Sequence, residues 1–140
     1  MNRVELWTTV NKGKNKQLLF SHEELESPDT HEVRLADGFA LELIRLRVAW
    51  GKPMVVNSAC RSAAHNTAIG GHPRSLHIYD VNPHGLNGCA AIDIATPNAP
   101  QRAGLRRLAW GMGWPIGLGR GFLHLDRRDL AGLAQRAFAN

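Results

Sequence analysis

The chain has 140 residues, 44% apolar and 21% charged, enough for one globular domain with a real core. No apolar run approaches the roughly 18 residues of a membrane span, and the first residues, "MNRVELWTTVNKGK", hold no apolar segment of signal-peptide length, so the expectation is synthesis in the cytoplasm without stable membrane insertion. A formal charge of +5 favours an anionic partner (nucleic acid, anionic lipid or cell wall), and two cysteines are too few for a disulfide framework.

In chain order, "FSHEEL" has capping-box spacing at Ser21 and Glu24 and predicts a short helix start. "SPDTHE" reads as a loop. From Leu35 to Trp50 apolar residues recur at Leu35, Phe39, Leu43, Leu46 and Trp50, a helical period with Arg45 and Arg47 off the stripe. Gly51 and Pro53 end that helix. "MVVNS" (54–58) predicts a short strand and "SAAHNTAIGG" a short helix stopped by Gly70 and Gly71. Residues 72–88 are loop-like, "AAIDIA" (90–95) is a buried strand carrying one acid, and 98–112 is a helix with Leu105, Leu108, Ala109 and Met112 on one face. "PIGLGRG" reads as a glycine-rich turn, "GFLHLD" as a strand and "LAGLAQRAF" as a final helix. Without regular βαβ alternation, the order predicts a single α+β domain over 1–140 with a small, mainly antiparallel sheet.

In "FLHLD", strand alternation sends Leu123 and Leu125 to one face, and places His124 and Asp126 together on the other, about 7 Å apart. His77 in "RSLH" and Asp93 in "AAIDIA" likewise stand where a core prefers apolar residues. Two histidines and a carboxylate with an open fourth position make a common catalytic zinc shell. His65, His72, His77 and His84 lie close in sequence, and spacing alone does not separate His77 from His72 or His84.

"NSACRSAAHNTAIGGHPRSLH", "AAIDIA" and "GFLHLD" together resemble the motifs of the M15 family of zinc peptidoglycan peptidases, in the family's order, from about Asn57 to Arg127. The likeness is greatest to small single-domain members among phage endolysins. The resemblance implies a hedgehog/DD-peptidase-like fold, helices packed on one side of the sheet, and Zn²⁺ on His77, Asp93 and His124. It also implies that Arg61 grips a substrate carboxylate, for which a planar guanidinium suits better than an ammonium. Ser75 matches a serine that supports the ligand loop or contacts substrate.

The chain departs from the pattern in three places. "IYDVNPHGLN" intervenes between the first two ligands, bringing in Asp80 and His84 and leaving an alternative first ligand open. Cys89 stands where glycine is usual. Gly121 stands where relatives carry the acid that acts as base, so Asp126 is expected to take the proton. Cys60 and Cys89 are expected as buried free thiols, and Trp110, Trp114 and Tyr79 are weighed between cleft and core.

The resemblance implies hydrolysis of a peptide bond in the peptidoglycan stem, by a monomer released to the cell wall or periplasm with a partner such as a holin. L-alanyl–D-glutamate cleavage is preferred over D-alanyl–D-alanine carboxypeptidase action. The rival classes are a non-catalytic zinc-binding module of the hedgehog type and a basic nucleic-acid-binding domain. The chain has no aromatic-interleaved basic patch to support the second, so no nucleic-acid partner is expected.

Overall fold

The computed structural model describes residues 2–139. Two strands open the chain, β1 (Leu6–Val10) and β2 (Asn15–Phe20), paired as an antiparallel hairpin. No strand is among the expectations from sequence here. The hairpin reverses through Asn11, Lys12 and Gly13, all at positive φ.

Helix α1 (His22–Leu25) carries the expected box: Glu24 N–H donates to Ser21 Oγ at 3.2 Å and Ser21 N–H to Glu24 Oε1 at 2.9 Å. Helix α2 (Phe39–Trp50) starts later than the apolar period suggests. Gly38, at φ +89°, breaks the helical path before Phe39, and Leu35 instead forms a bridge with Cys89. Arg47, expected off the stripe, is buried with Phe39, Leu43 and Leu46.

Strand β3 (Val56–Ser58) and helix α3 (Ala63–Ala68) follow, the latter capped by Ser62 Oγ, which accepts from His65 N–H at 2.9 Å. Then come β4 (Ala91–Ala95), α4 (Ala99–Gly111, capped by Asn98), β5 (Ile116–Leu118) and β6 (Phe122–Asp126). The expected final helix is absent among the described residues. Arg128–Ala131 forms a 3-10 turn, and Ala137–Ala139 is a strand, β7, parallel to β5. The stretch read as a glycine-rich turn contains β5.

The main sheet has the order β3-β4-β6-β5-β7, antiparallel except for its last pair. This is the expected α+β class. Helix α4 packs against β5 and β6, and α2 against α4 and β1. Leu123 and Leu125 are wholly buried on the core face of β6, beside Ile92 of β4, Leu105 and Ala109 of α4, and Phe39 of α2. The opposite face of β4 and β6 is thereby left to polar side chains. Trp114 lies in the core edge-on to Phe39 at 6.1 Å, Tyr79 is buried with its hydroxyl on Thr30 Oγ1 at 2.8 Å, and Trp110 lines a separate depression, so none of the three lines the cleft described below. No helix among the described residues is long and apolar enough to cross a membrane.

Candidate metal centre

Sheet register builds half of the site. Asp93 on β4 lies directly across from His124 on β6, and directly opposed side chains on one sheet face sit within contact range. His124 Nδ1 is 2.9 Å from Asp93 Oδ1. The third member comes from the loop after α3. Arg61 and Ile78 form a bridge, with Arg61 N–H on His77 O at 2.8 Å and Tyr79 N–H on Arg61 O at 3.0 Å. This pins His77 so that its Nε2 lies 3.1 Å from the same Oδ1. His77, Asp93 and His124 are all buried, and their ligand atoms lie within 4.8 Å of one another.

The outer ring nitrogens decide what the cluster can hold. His77 Nδ1–H donates to Ala59 O at 2.6 Å, and His124 Nε2–H donates to Asp126 Oδ2 at 2.8 Å. With those protons committed outward, the imidazoles in the neutral form that ligation requires turn two lone pairs towards a carboxylate oxygen. Three acceptors facing one another without a proton between them suit a cation, and histidine ligands usually anchor the second ring nitrogen in this way. The donor set of two nitrogens and one oxygen suits zinc and leaves further coordination positions for water or substrate.

Burial pushes the His77 imidazole below its ordinary pKa, only partly opposed by Asp93. For His124 burial acts downward too, but Asp126 and Asp93 outweigh it and the net shift is upward. Burial alone raises Asp93; the two histidines more than cancel it and hold the carboxyl well below the usual range.

Arg61 sits beside the triad with its Nε on Ser58 Oγ (3.0 Å), Nη1 on Asn66 Oδ1 (3.2 Å) and Nη2 on Asp93 Oδ2 (3.3 Å). Burial lowers its pKa, with Asp93 opposing, yet a guanidinium stays charged. Three of its five N–H groups are used, so two remain. Gly71 protects this arrangement, since a Cβ there would collide with Asn66 Oδ1. Ser75 Oγ accepts from His77 N–H at 3.1 Å, which steadies the ligand loop.

Asp126 is in the site but behind His124. It is fully buried. Oδ2 accepts from His124 Nε2–H and from Arg128 Nη2 at 2.7 Å, while Oδ1 accepts from Arg128 N–H at 3.1 Å and Nε at 3.0 Å. An ionised carboxylate has about four acceptor positions, and here all are filled. Burial raises its pKa, but His124 and Arg128 win and the net shift is downward.

A cavity of about 690 Å³ opens onto the triad. Arg61 and Ser75 line it, and so do His72, Arg74 and His84 from the 72–88 loop, and Arg128, Arg136 and Phe138 from the chain end. His84 is at this rim, outside the triad, and Asp80 is elsewhere, accepting Ala63 N–H at 2.8 Å. Of the candidates left open for first ligand, only His77 joins the cluster. Cys60 and Cys89 stay out of it; both are buried, with their sulfurs 2.7 Å apart.

The C-terminal wall went unread in the sequence. Phe138 packs on His124 with ring centroids 5.7 Å apart. Gly117, across from His124 on β5, makes room, since a Cβ there would come within 2.8 Å of the Phe138 ring and 3.0 Å of His124 Cβ. From sequence, Asp126 has Arg127 and Arg128 as possible ion-pair partners, and it is Arg128 that pairs with it at 2.7 Å.

A buried two-histidine, one-carboxylate cluster at the floor of an arginine-lined cleft is the kind of site that metal-dependent hydrolases use. The Peptidase M15 family model matches residues 12–126, a span that holds the triad and Arg61, and the chain belongs to that family of peptidases. No curated protein and no solved structure matches it.

Proposed function

We propose that the protein is a zinc-dependent peptidase that hydrolyses a peptide bond in the peptidoglycan stem, L-alanyl–D-glutamate first and a D-alanyl–D-alanine-type bond second. The observation that carries this reading is the convergence of His77 Nε2, His124 Nδ1 and Asp93 Oδ1, with both outer N–H groups tied back. The charge of +5 and the arginines around the cavity support an anionic wall substrate.

His77, Asp93 and His124 would hold the metal. When bound, zinc supplies a Lewis acid that lowers the pKa of water towards about 7 and polarises the scissile carbonyl. Arg61 offers its two remaining N–H donors to a stem carboxylate and so fixes the peptide over the triad. Ala59 O and Asp126 hold the two imidazoles in the tautomers that ligation needs. We assign Asp126 this positioning role in place of the proton transfer expected from sequence, because its acceptor positions are filled. Release to the wall through a holin-like partner, as a monomer, completes the proposal.

The test is digestion of purified peptidoglycan by the zinc-loaded protein, with products identified by mass, beside His124→Ala and a metal-stripped control. New peptide termini from the wild type alone establish the activity and name the bond. Intact wall of every chemotype, in the presence of bound zinc, refutes it.

A further inference from the structure

The cavity carries more positive charge than the metal chemistry requires. Four arginines and two aspartates line it. Asp93 pairs with Arg61 at 3.3 Å and Asp126 with Arg128 at 2.7 Å. Among the described residues, Arg74 and Arg136 have no carboxylate in ion-pair range.

An exposed arginine is ordinarily just solvated, but Arg74 is held at three points. Its N–H donates to His72 Nδ1 at 3.0 Å. Its carbonyl accepts from His84 Nε2–H at 2.9 Å, which leaves His84 Nδ1 as the acceptor for Arg74 Nη2 at 3.4 Å. His84 is itself fixed. Asn82 Oδ1 accepts from His84 N–H at 2.9 Å, and Asn82 Nδ2 donates to Ile78 O at 2.8 Å and Gly88 O at 3.3 Å. The segment inserted between the first two ligand motifs is therefore a hydrogen-bonded loop that presents one imidazole to one guanidinium at the rim of the cleft. That contact uses a single N–H of the guanidinium and leaves four, enough for a bidentate carboxylate.

We propose that Arg74, positioned by His84, binds a second substrate carboxylate, so that the substrate is a stem peptide bearing two carboxylates, one met by Arg61 and one by Arg74. The inference rests on the peptidase reading of the site and adds a substrate class to it. Arg136, which also lines the cavity, strengthens the field that draws such a dianion in.

The test uses the full zinc-loaded chain and an uncleavable stem-peptide analogue, its scissile amide replaced by a methyleneamine, as the diacid and as each of its two monoamides. Calorimetry gives the affinity of wild type, Arg74→Gln and His84→Ala, with zinc content confirmed for each. Arg74→Gln weakens the diacid and one monoamide by about tenfold to a hundredfold, the usual range for a charge-assisted bidentate pair. It leaves the other monoamide, already lacking the partner carboxylate, within about twofold. His84→Ala shows the same selectivity at smaller size, and Arg74→Lys restores part of the affinity because charge returns without the fork. An equal loss on all three analogues, no loss on any, or no binding of the diacid by wild type overturns the proposal. If the analogues discriminate as described while wild type leaves wall intact, the peptidase reading fails and the Arg74 assignment stands.

Discussion

Asp126→Asn separates the two roles a buried acid beside a ligand histidine can have. The substitution keeps the shape of the side chain but removes the charge that Arg128 and His124 Nε2–H both meet. A hydrogen bond to a charged acceptor is worth about 1.5–3 kcal/mol, and losing it frees the His124 ring to rotate or change tautomer. That range converts to about tenfold to 150-fold, and comparable changes behind metal-bound histidines cost about 10–100-fold in metal affinity. The assay is zinc competition against a chromophoric chelator near neutral pH, paired with wall hydrolysis at saturating zinc. The expected result is affinity down by about 10–100-fold, with hydrolysis largely recovered once zinc is in excess. A thermal melt guards against unfolding, since Arg128 loses its buried partner. Unchanged zinc affinity with hydrolysis lowered by about 10²–10⁴ would refute the reasoning and return Asp126 to the role of base.

Gly117→Ala drives a methyl group into the Phe138 ring and His124 Cβ; overpacking of this kind costs about 1–3 kcal/mol, to be read as a lowered melting midpoint and weakened zinc binding, and an unchanged midpoint contradicts the packing described. Asp29 accepts from Ser27 Oγ and Ser62 Oγ, each at 2.6 Å, and these bonds lower its pKa from 3.8 to about 2. Because the folded value is the depressed one, its contribution to stability is complete above pH 4 and fades as pH falls through about 2. The melting deficit of Asp29→Asn should therefore shrink across that window, and a deficit independent of pH rules the linkage out. Burial, then the neighbouring Cys60, pushes the Cys89 thiol well up. Both thiols are fully buried and should resist a thiol-reactive chromophore in the folded protein and react together on denaturation, whereas prompt labelling of native protein counts against a closed core at that point.

The parts of the fold written in local pattern were readable from sequence. Ser21 with Glu24 is a cap whose chemistry acts within three residues, and the helices expected in "SAAHNTAIGG" and over 98–112 are present as α3 and α4. The alternation in "FLHLD" set its two faces correctly for the same reason. The parts that failed depend on distant partners. "AFA" has no strand pattern of its own and becomes β7 by pairing with β5, where Ile116 N–H meets Arg136 O at 2.9 Å. "IGL" is too short to show a period. The first hairpin is the exception, because Asn11 and Gly13, both at positive φ, are ordinary turn residues beside Lys12 and left it legible locally. Arg47 shows the limit of an apolar stripe, because a long aliphatic stem can be buried where its charge argues for solvent.

The same contrast runs through the site. Asp93 and His124 are neighbours by strand register, and His77 is tied to Arg61 by a backbone bridge, so a change in any one motif disturbs the others. The family match over residues 12–126 takes in all of this group. Arg128, Arg136 and Phe138 lie past that span, and His84 lies in the segment that parts the first two ligand motifs, yet all four line the cavity. The triad that fits a metal thus lies inside the matched span, and much of the remaining cavity wall comes from residues beyond it or from the inserted segment. Substitutions on the floor should remove metal binding and hydrolysis together. Substitutions at Arg74, His84 or Arg136 should leave zinc in place and change which peptide is held.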